Sequence, residues 1–96
     1  MKPVFHKKVQ KFIKKIKDQD LYSLIQKSID SIAKDPLTGK LLEHPFRKYQ
    51  IRSKNFSYKG NSYRIGYTMS PDKKEILFLL VDSRENFYKK LGKFCR

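Results

Sequence analysis

"SYRIGYTM", residues 62–69, alternates between two faces. Tyr63, Ile65, Tyr67 and Met69 point one way, and Ser62, Arg64, Gly66 and Thr68 point the other. The first set is what a half-buried strand requires. The second puts an arginine beside a glycine in mid-strand, where glycine weakens pairing unless a backbone or a ligand must come close. The segment therefore reads as a strand with Arg64 looking outward and room beside it at Gly66.

The flanking sequence falls into elements of two periods. In "KKVQKFIKKIK", residues 7–17, Val9, Phe12, Ile13 and Ile16 form one helical stripe, with lysines on the other faces. Leu21, Leu24, Ile25, Ile29 and Ile32 repeat that stripe over 20–34, with Asp20 placed to cap the helix. This helix should end near Lys34, because Asp35 precedes Pro36 and Gly39 follows. The short segment 18–20 implies an antiparallel helix pair. The period then drops to two. "KYQIRSK", 48–54, reads as a strand, "YKGN", 58–61, as a turn, and "SPDKK", 70–74, as another. "EILFLLV", 75–81, is a continuous apolar run that suits a strand covered on both faces. Residues 84–94 close the chain as a short helix or an ordered tail, and Met1–His6 can add an edge strand.

Two N-terminal helices followed by an antiparallel meander make a two-layer α+β domain over residues 1–96. A 15-residue helix spans about 22 Å and a seven-residue strand about 23 Å, so the layers match. Tyr63, Ile65, Tyr67 and Met69 should pack beneath the helices together with Tyr49 and Ile51. Arg52, Lys54, Arg64 and Gly66 are then expected together on the opposite, open face.

The formal net charge of +14, from 23 Lys and Arg against 9 Asp and Glu, divides evenly between the two halves of the chain. The positive field thus belongs to the folded body and points to a polyanionic partner. The single cysteine, Cys95, cannot form an internal disulfide, and no Cys/His set has metal-binding spacing. No 18-residue apolar run is present to cross a membrane, and no signal peptide is visible. A cytoplasmic protein with no membrane partner is expected.

In this setting the chain resembles the RelE/ParE toxin superfamily. The order β-α-α-β-β-β is that family's, and three segments echo its motifs: "IAKDPLTGKLLEHPF" (32–46), "YRIGY" (63–67) and "RENFY" (84–88). The RelE branch contains ribosome-dependent mRNA endonucleases held inactive by a cognate antitoxin. The ParE branch poisons DNA gyrase and lacks the basic nuclease set. By motif, the resemblance lays Arg64 and Arg84 on the family's phosphate-binding arginines and Tyr88 on its C-terminal tyrosine. Arg52 falls on the basic position of the preceding strand. Gln50 stands where some RelE proteins carry lysine, Ser83 stands where relatives often carry histidine, and "NFSYKGN" (55–61) lengthens the hairpin.

Cleavage of RNA by its own 2′-OH needs no metal or cofactor. It needs a base, cations around the phosphorane and a proton for the 5′-oxygen. Arg52, Lys54, Arg64 and Arg84 on one face would supply the cations. Lys54 is the first candidate base, since neighbouring cations disfavour an ammonium. Tyr88 can orient the nucleophile, stack on a base or relay a proton. His44 is a reserve candidate, because imidazole alone titrates near neutrality unaided. Lys7, Lys8, Lys11, Lys14 and Lys15 can meet ribosomal RNA through its phosphates. Three readings stay open: a ribosome-dependent endoribonuclease toxin acting on mRNA, a ParE-like gyrase poison, and a non-catalytic RNA- or DNA-binding domain. The charge also implies an acidic, partly disordered antitoxin as partner.

Overall fold

The computed structural model describes residues 1–94; Cys95, and with it the disulfide reading, lies outside them. The chain runs β1 (Lys2–Phe5), α1 (Lys7–Lys15), α2 (Gln19–Lys34), β2 (Lys40–Leu41), β3 (Arg52–Tyr58), β4 (Asn61–Met69), β5 (Glu75–Ser83) and α3 (Arg84–Phe94). Single 3₁₀ turns, Pro36–Thr38 and Arg47–Tyr49, flank β2. The five strands form one sheet in the order β1-β5-β4-β3-β2. The fold is α+β, as expected. The sheet is mixed rather than wholly antiparallel, because β1 lies parallel to β5, with Lys2 opposite Glu75 and Phe5 opposite Phe78.

Local chemistry sets the element ends. The His6 imidazole accepts from the Lys8 N–H to cap α1. Asp18, two residues ahead of the expected cap, accepts from the Asp20 and Leu21 N–H groups to start α2. Asp20 instead sits in the first turn, where a carboxylate also suits the helix dipole. Asp35 ends α2 before Pro36 and accepts from the Leu37 N–H to cap the 3₁₀ turn.

The β3–β4 hairpin turns where the sequence placed it, at 58–61. Lys59 (φ 48°) and Gly60 (φ 79°) make a two-residue turn with both central residues left-handed, the conformation that matches strand twist. "NFSY" is therefore strand, and the residues ahead of Arg52 are not. Gln50 has φ 55° and closes the second 3₁₀ turn, which leaves Tyr49 exposed instead of under the helices.

Two cores sandwich the sheet. On one face α1 and α2 bury Val9, Ile25, Ile29 and Ile32 against Ile65, Tyr67, Ile76, Phe78 and Val81. On the other, α3 buries Phe87 and Leu91 against Leu42, Phe46, Ile51 and Leu80. Ile51 thus belongs to the α3 side and not, as expected, beneath the helix pair. β5 serves both cores through a bulge. Gly66 faces Leu80 while Tyr67 faces Phe78, so Leu79 is an extra residue. That shift turns Phe78 and Val81 to one core and Leu80 to the other.

Candidate functional site

Arg64 projects from β4 on the α3 side of the sheet. Its cross-strand neighbours are Asn55 of β3 and Asp82 of β5. Asp82 is buried but does not neutralise it, because the carboxylate is held by Lys90 of α3 at 2.5 Å. The Arg64 guanidinium lies over the Tyr88 ring, 5.1 Å from its centroid, a cation–π contact. Its Nε is buried with no hydrogen-bond partner.

Tyr88 reaches Arg64 because α3 sits very close to β4. A β-carbon at Gly66 would lie 2.8 Å from Phe87 Cζ, so only glycine admits the helix here. The room beside Arg64 is therefore filled by Phe87 of the chain itself. Phe87 meets Tyr88 edge-on at 5.3 Å, and the Phe46 ring lies 6.2 Å from it, tilted. Tyr88 is thus oriented by two aromatic rings while its own surface stays 40% exposed.

Lys40, Glu43, His44, Asn55, Arg64 and Tyr88, with Leu42 and Phe46 as apolar floor, line an open cleft of about 400 Å³. The loop carrying Glu43 and His44 is anchored on both sides. The Leu42 N–H donates to the Ile51 carbonyl, the Phe46 N–H donates to the Glu43 carbonyl, and both Leu42 and Phe46 are buried. The cleft combines cations, a carboxylate, an imidazole, a phenol and an amide, with an aromatic surface on which a nucleobase can stack.

Residues 4–92 match a family described as ParE-like toxin of type II bacterial toxin-antitoxin system. The chain belongs to that family. No curated protein matches its sequence. Among solved structures, a chain of the intact E. coli RelBE toxin-antitoxin complex shares its fold, with a TM-score of 0.64 and 17% identity. The match covers 83% of this chain and 92% of that one. The RelE/ParE resemblance and the α+β architecture thus both hold, and the protein is a type II toxin by family.

In this ParE-like toxin the expected basic quartet is divided. Arg64 and Tyr88 share the cleft. Arg52 and Lys54 do not, because Arg52 is paired with Tyr67 and Lys54 with Ile65, and directly opposed residues share a face. Both therefore lie on the α2 side. Arg52 Nη1 donates to the Gly39 carbonyl at 2.9 Å, and Lys54 Nζ donates to Ser31 Oγ of α2 at 2.7 Å. Arg84 is exposed in the first turn of α3 beside Gly60–Tyr63, outside the lining of the cleft. Lys7, Lys8, Lys11, Lys14 and Lys15 are all exposed on α1. Lys8, Lys11 and Lys15 line a separate groove with Phe12, Asp82 and Lys90.

Lys40, Glu43 and Asn55 were not singled out by sequence. Asn55 was legible in principle, since a two-residue hairpin at 59–60 pairs it with Arg64. Lys40 and Glu43 sit in a loop whose path no local pattern specifies. Among the described residues no helix is long and apolar enough to cross a membrane.

Proposed function

We propose that this toxin is a ribosome-dependent mRNA endoribonuclease working at the Arg64–Tyr88 cleft. The observation that carries the reading is the Arg64 guanidinium, whose cross-strand neighbour Asp82 is engaged by Lys90 and which is stacked on an accessible tyrosine. A cation kept unpaired in a cleft suits a phosphate whose charge grows during reaction. Its planar fork suits two phosphoryl oxygens at once. In this reading Arg64 stabilises the phosphorane formed when the 2′-oxygen attacks, and Lys40 adds charge at the rim. Tyr88 stacks on the adjoining base, and Asn55 can donate to the phosphate or sugar. Arg84 contacts the flanking strand from the first turn of α3. The α1 lysines hold ribosomal RNA through its phosphates.

The test is cleavage of mRNA on programmed ribosomes by purified toxin, with the new ends mapped by primer extension. Cuts inside translated codons that vanish with Arg64→Ala support the reading.

The gyrase-poison reading has its own support. The matched family is ParE-like, and only Arg64 of the predicted nuclease cations Arg52, Lys54, Arg64 and Arg84 lines the cleft. Intact mRNA together with arrested DNA replication after induction would favour it.

For either target, a neutralising antitoxin with an acidic, partly disordered segment suits the charge of +14. The RelBE complex that shares this fold is a toxin with its antitoxin. Stable, non-toxic accumulation of this chain alone at high expression would count against such a partner.

A further inference from the structure

We infer that His44 is the proton acceptor of the cleft, the group that takes the proton from the attacking 2′-OH. The inference rests on the endoribonuclease reading and deepens it. The expected base, Lys54, is on the far side of the sheet with its ammonium on Ser31 of α2. The reaction then lacks a base unless the cleft supplies one.

The titratable groups that face the cleft are Lys40 of β2, Glu43 and His44 of the loop after it, Arg64 of β4 and Tyr88 of α3. An ammonium and a guanidinium have no lone pair to offer at neutral pH. A phenol holds its proton until near pH 10, and a carboxylate is a weak base with an ordinary pKa near 4. Imidazole is the one side chain that is both substantially unprotonated and reasonably basic at pH 7.

The structure suits His44 to that task in three further ways. It is exposed, so it exchanges protons with solvent between turnovers. No protein group occupies its ring nitrogens among the described residues. The loop is pinned on either side by buried Leu42 and Phe46, so the ring is carried at the rim of the cleft and not on a free tether.

The step balances without a co-reactant. The 2′-oxygen bonds to phosphorus as its proton passes to the imidazole, and the P–O5′ bond breaks. The 5′-oxygen takes a proton from water, and the imidazolium returns its proton to solvent. The products are a 2′,3′-cyclic phosphate and a 5′-hydroxyl.

The test compares wild type, His44→Gln, Glu43→Gln and Arg64→Ala in ribosome-dependent cleavage between pH 5 and 9. His44→Gln is expected to lower kcat by about 10²–10⁴-fold with little change in KM. It should also abolish the rise of rate with pH across the imidazole range, and it should still bind ribosomes carrying a 2′-deoxy substitution at the cut site. Glu43→Gln should keep that rise. The proposal fails if His44→Gln retains the wild-type rate and profile while Arg64→Ala is inactive, and the nuclease reading then survives without it. It also fails if the rise disappears in Glu43→Gln and persists in His44→Gln. If wild type makes no cut on any programmed ribosome, the nuclease reading itself falls and takes this one with it.

Discussion

At Gly66 an added β-carbon would meet Phe87 Cζ at 2.8 Å and Cε1 at 3.1 Å, and Phe87 is fully buried. The ring has nowhere to turn, so Gly66→Ala must push α3 away from β4. Overpacking of this kind costs about 1–3 kcal/mol, and the displaced helix carries Tyr88. A lower melting temperature and slower cleavage are expected together. Gly92, in the same helix, meets nothing within 4 Å. Gly92→Ala should therefore raise stability by about 0.5–1 kcal/mol through helix propensity alone. Arg64→Ala removes a half-buried side chain that makes no ion pair with Asp82, so thermal melts should change little. Cleavage should fall about 10²–10³-fold, and Arg64→Lys should restore only part of it, because an ammonium lacks the fork. Tyr67 behaves differently. Its hydroxyl donates to the Pro36 carbonyl at 2.6 Å and accepts from the Gly39 N–H at 2.9 Å. Burial pushes its phenol pKa upward. The neutral form is therefore favoured in the folded state. Its contribution is complete below about pH 10 and is lost as pH rises further, when the unfolded chain ionises first. Tyr67→Phe should cost about 1–2 kcal/mol at pH 7 and lose stability less steeply above pH 10, as measured by denaturant titrations across that range.

Hairpin register is what divides the predicted site. The helices, β4, β5 and the turn at 58–61 were legible from periodicity and turn chemistry, because each depends on neighbours in sequence, whereas β3 runs over 52–58 and not over 48–54. The face shared by Arg52, Lys54 and Arg64 was not a local property. It follows from a two-residue turn at Lys59–Gly60, which opposes Arg52 to Tyr67 and Lys54 to Ile65. Placing Ile51 beneath the helix pair with Ile65 and Tyr67 put Arg52 and Lys54 on the same face as Arg64, whereas Ile51 packs on the α3 side. Ile51 was misassigned because the chain bends at Gln50, whose left-handed conformation no hydrophobic pattern signals. The bulge at Leu79 is hidden inside "EILFLLV" for a similar reason, since a run apolar on both faces carries no phase. The position of α3 was equally silent, although glycine at 66 marked where something came close. Lys54→Met is accordingly expected to leave cleavage near the wild-type rate. The hairpin is also tied to α2. The Tyr58 hydroxyl donates to Asp18 at 2.5 Å, and Lys59 lies 3.6 Å from the same carboxylate. The Tyr58 bond, foremost, holds the Asp18 pKa below its ordinary value. A depressed carboxylate contributes stability that is present above about pH 4 and is lost as pH falls through the carboxylate range. Tyr58→Phe should flatten that acid limb in melts between pH 2 and 6, and an unaltered limb would show the tie to be inert.

The whole molecule carries its charge almost undressed. Among the described residues two ion pairs form, Lys59–Asp18 and Lys90–Asp82. Most of the remaining cations are exposed to solvent and partners, with Lys8, Lys11 and Lys15 gathered along one groove. Reversing Lys8 and Lys11 to glutamate should leave the fold intact. It should also reduce the slope of log affinity for ribosomes against log salt by about 0.7–0.9 for each phosphate contact removed. An unchanged slope would exclude α1 as the docking surface. The plan of the sheet bears on how such a protein comes into being. β5 pairs with β1, whose residues are 73 positions earlier in the chain, and it also supplies residues to both cores. Closing so long a loop precedes any reward from the contacts it makes, which slows folding. A nascent chain stalled before Glu75 lacks the strand that completes either core, and it lacks α3 and Tyr88 as well. Chains stopped before Glu75 are therefore expected to be unfolded and without toxic effect when expressed from truncated messages.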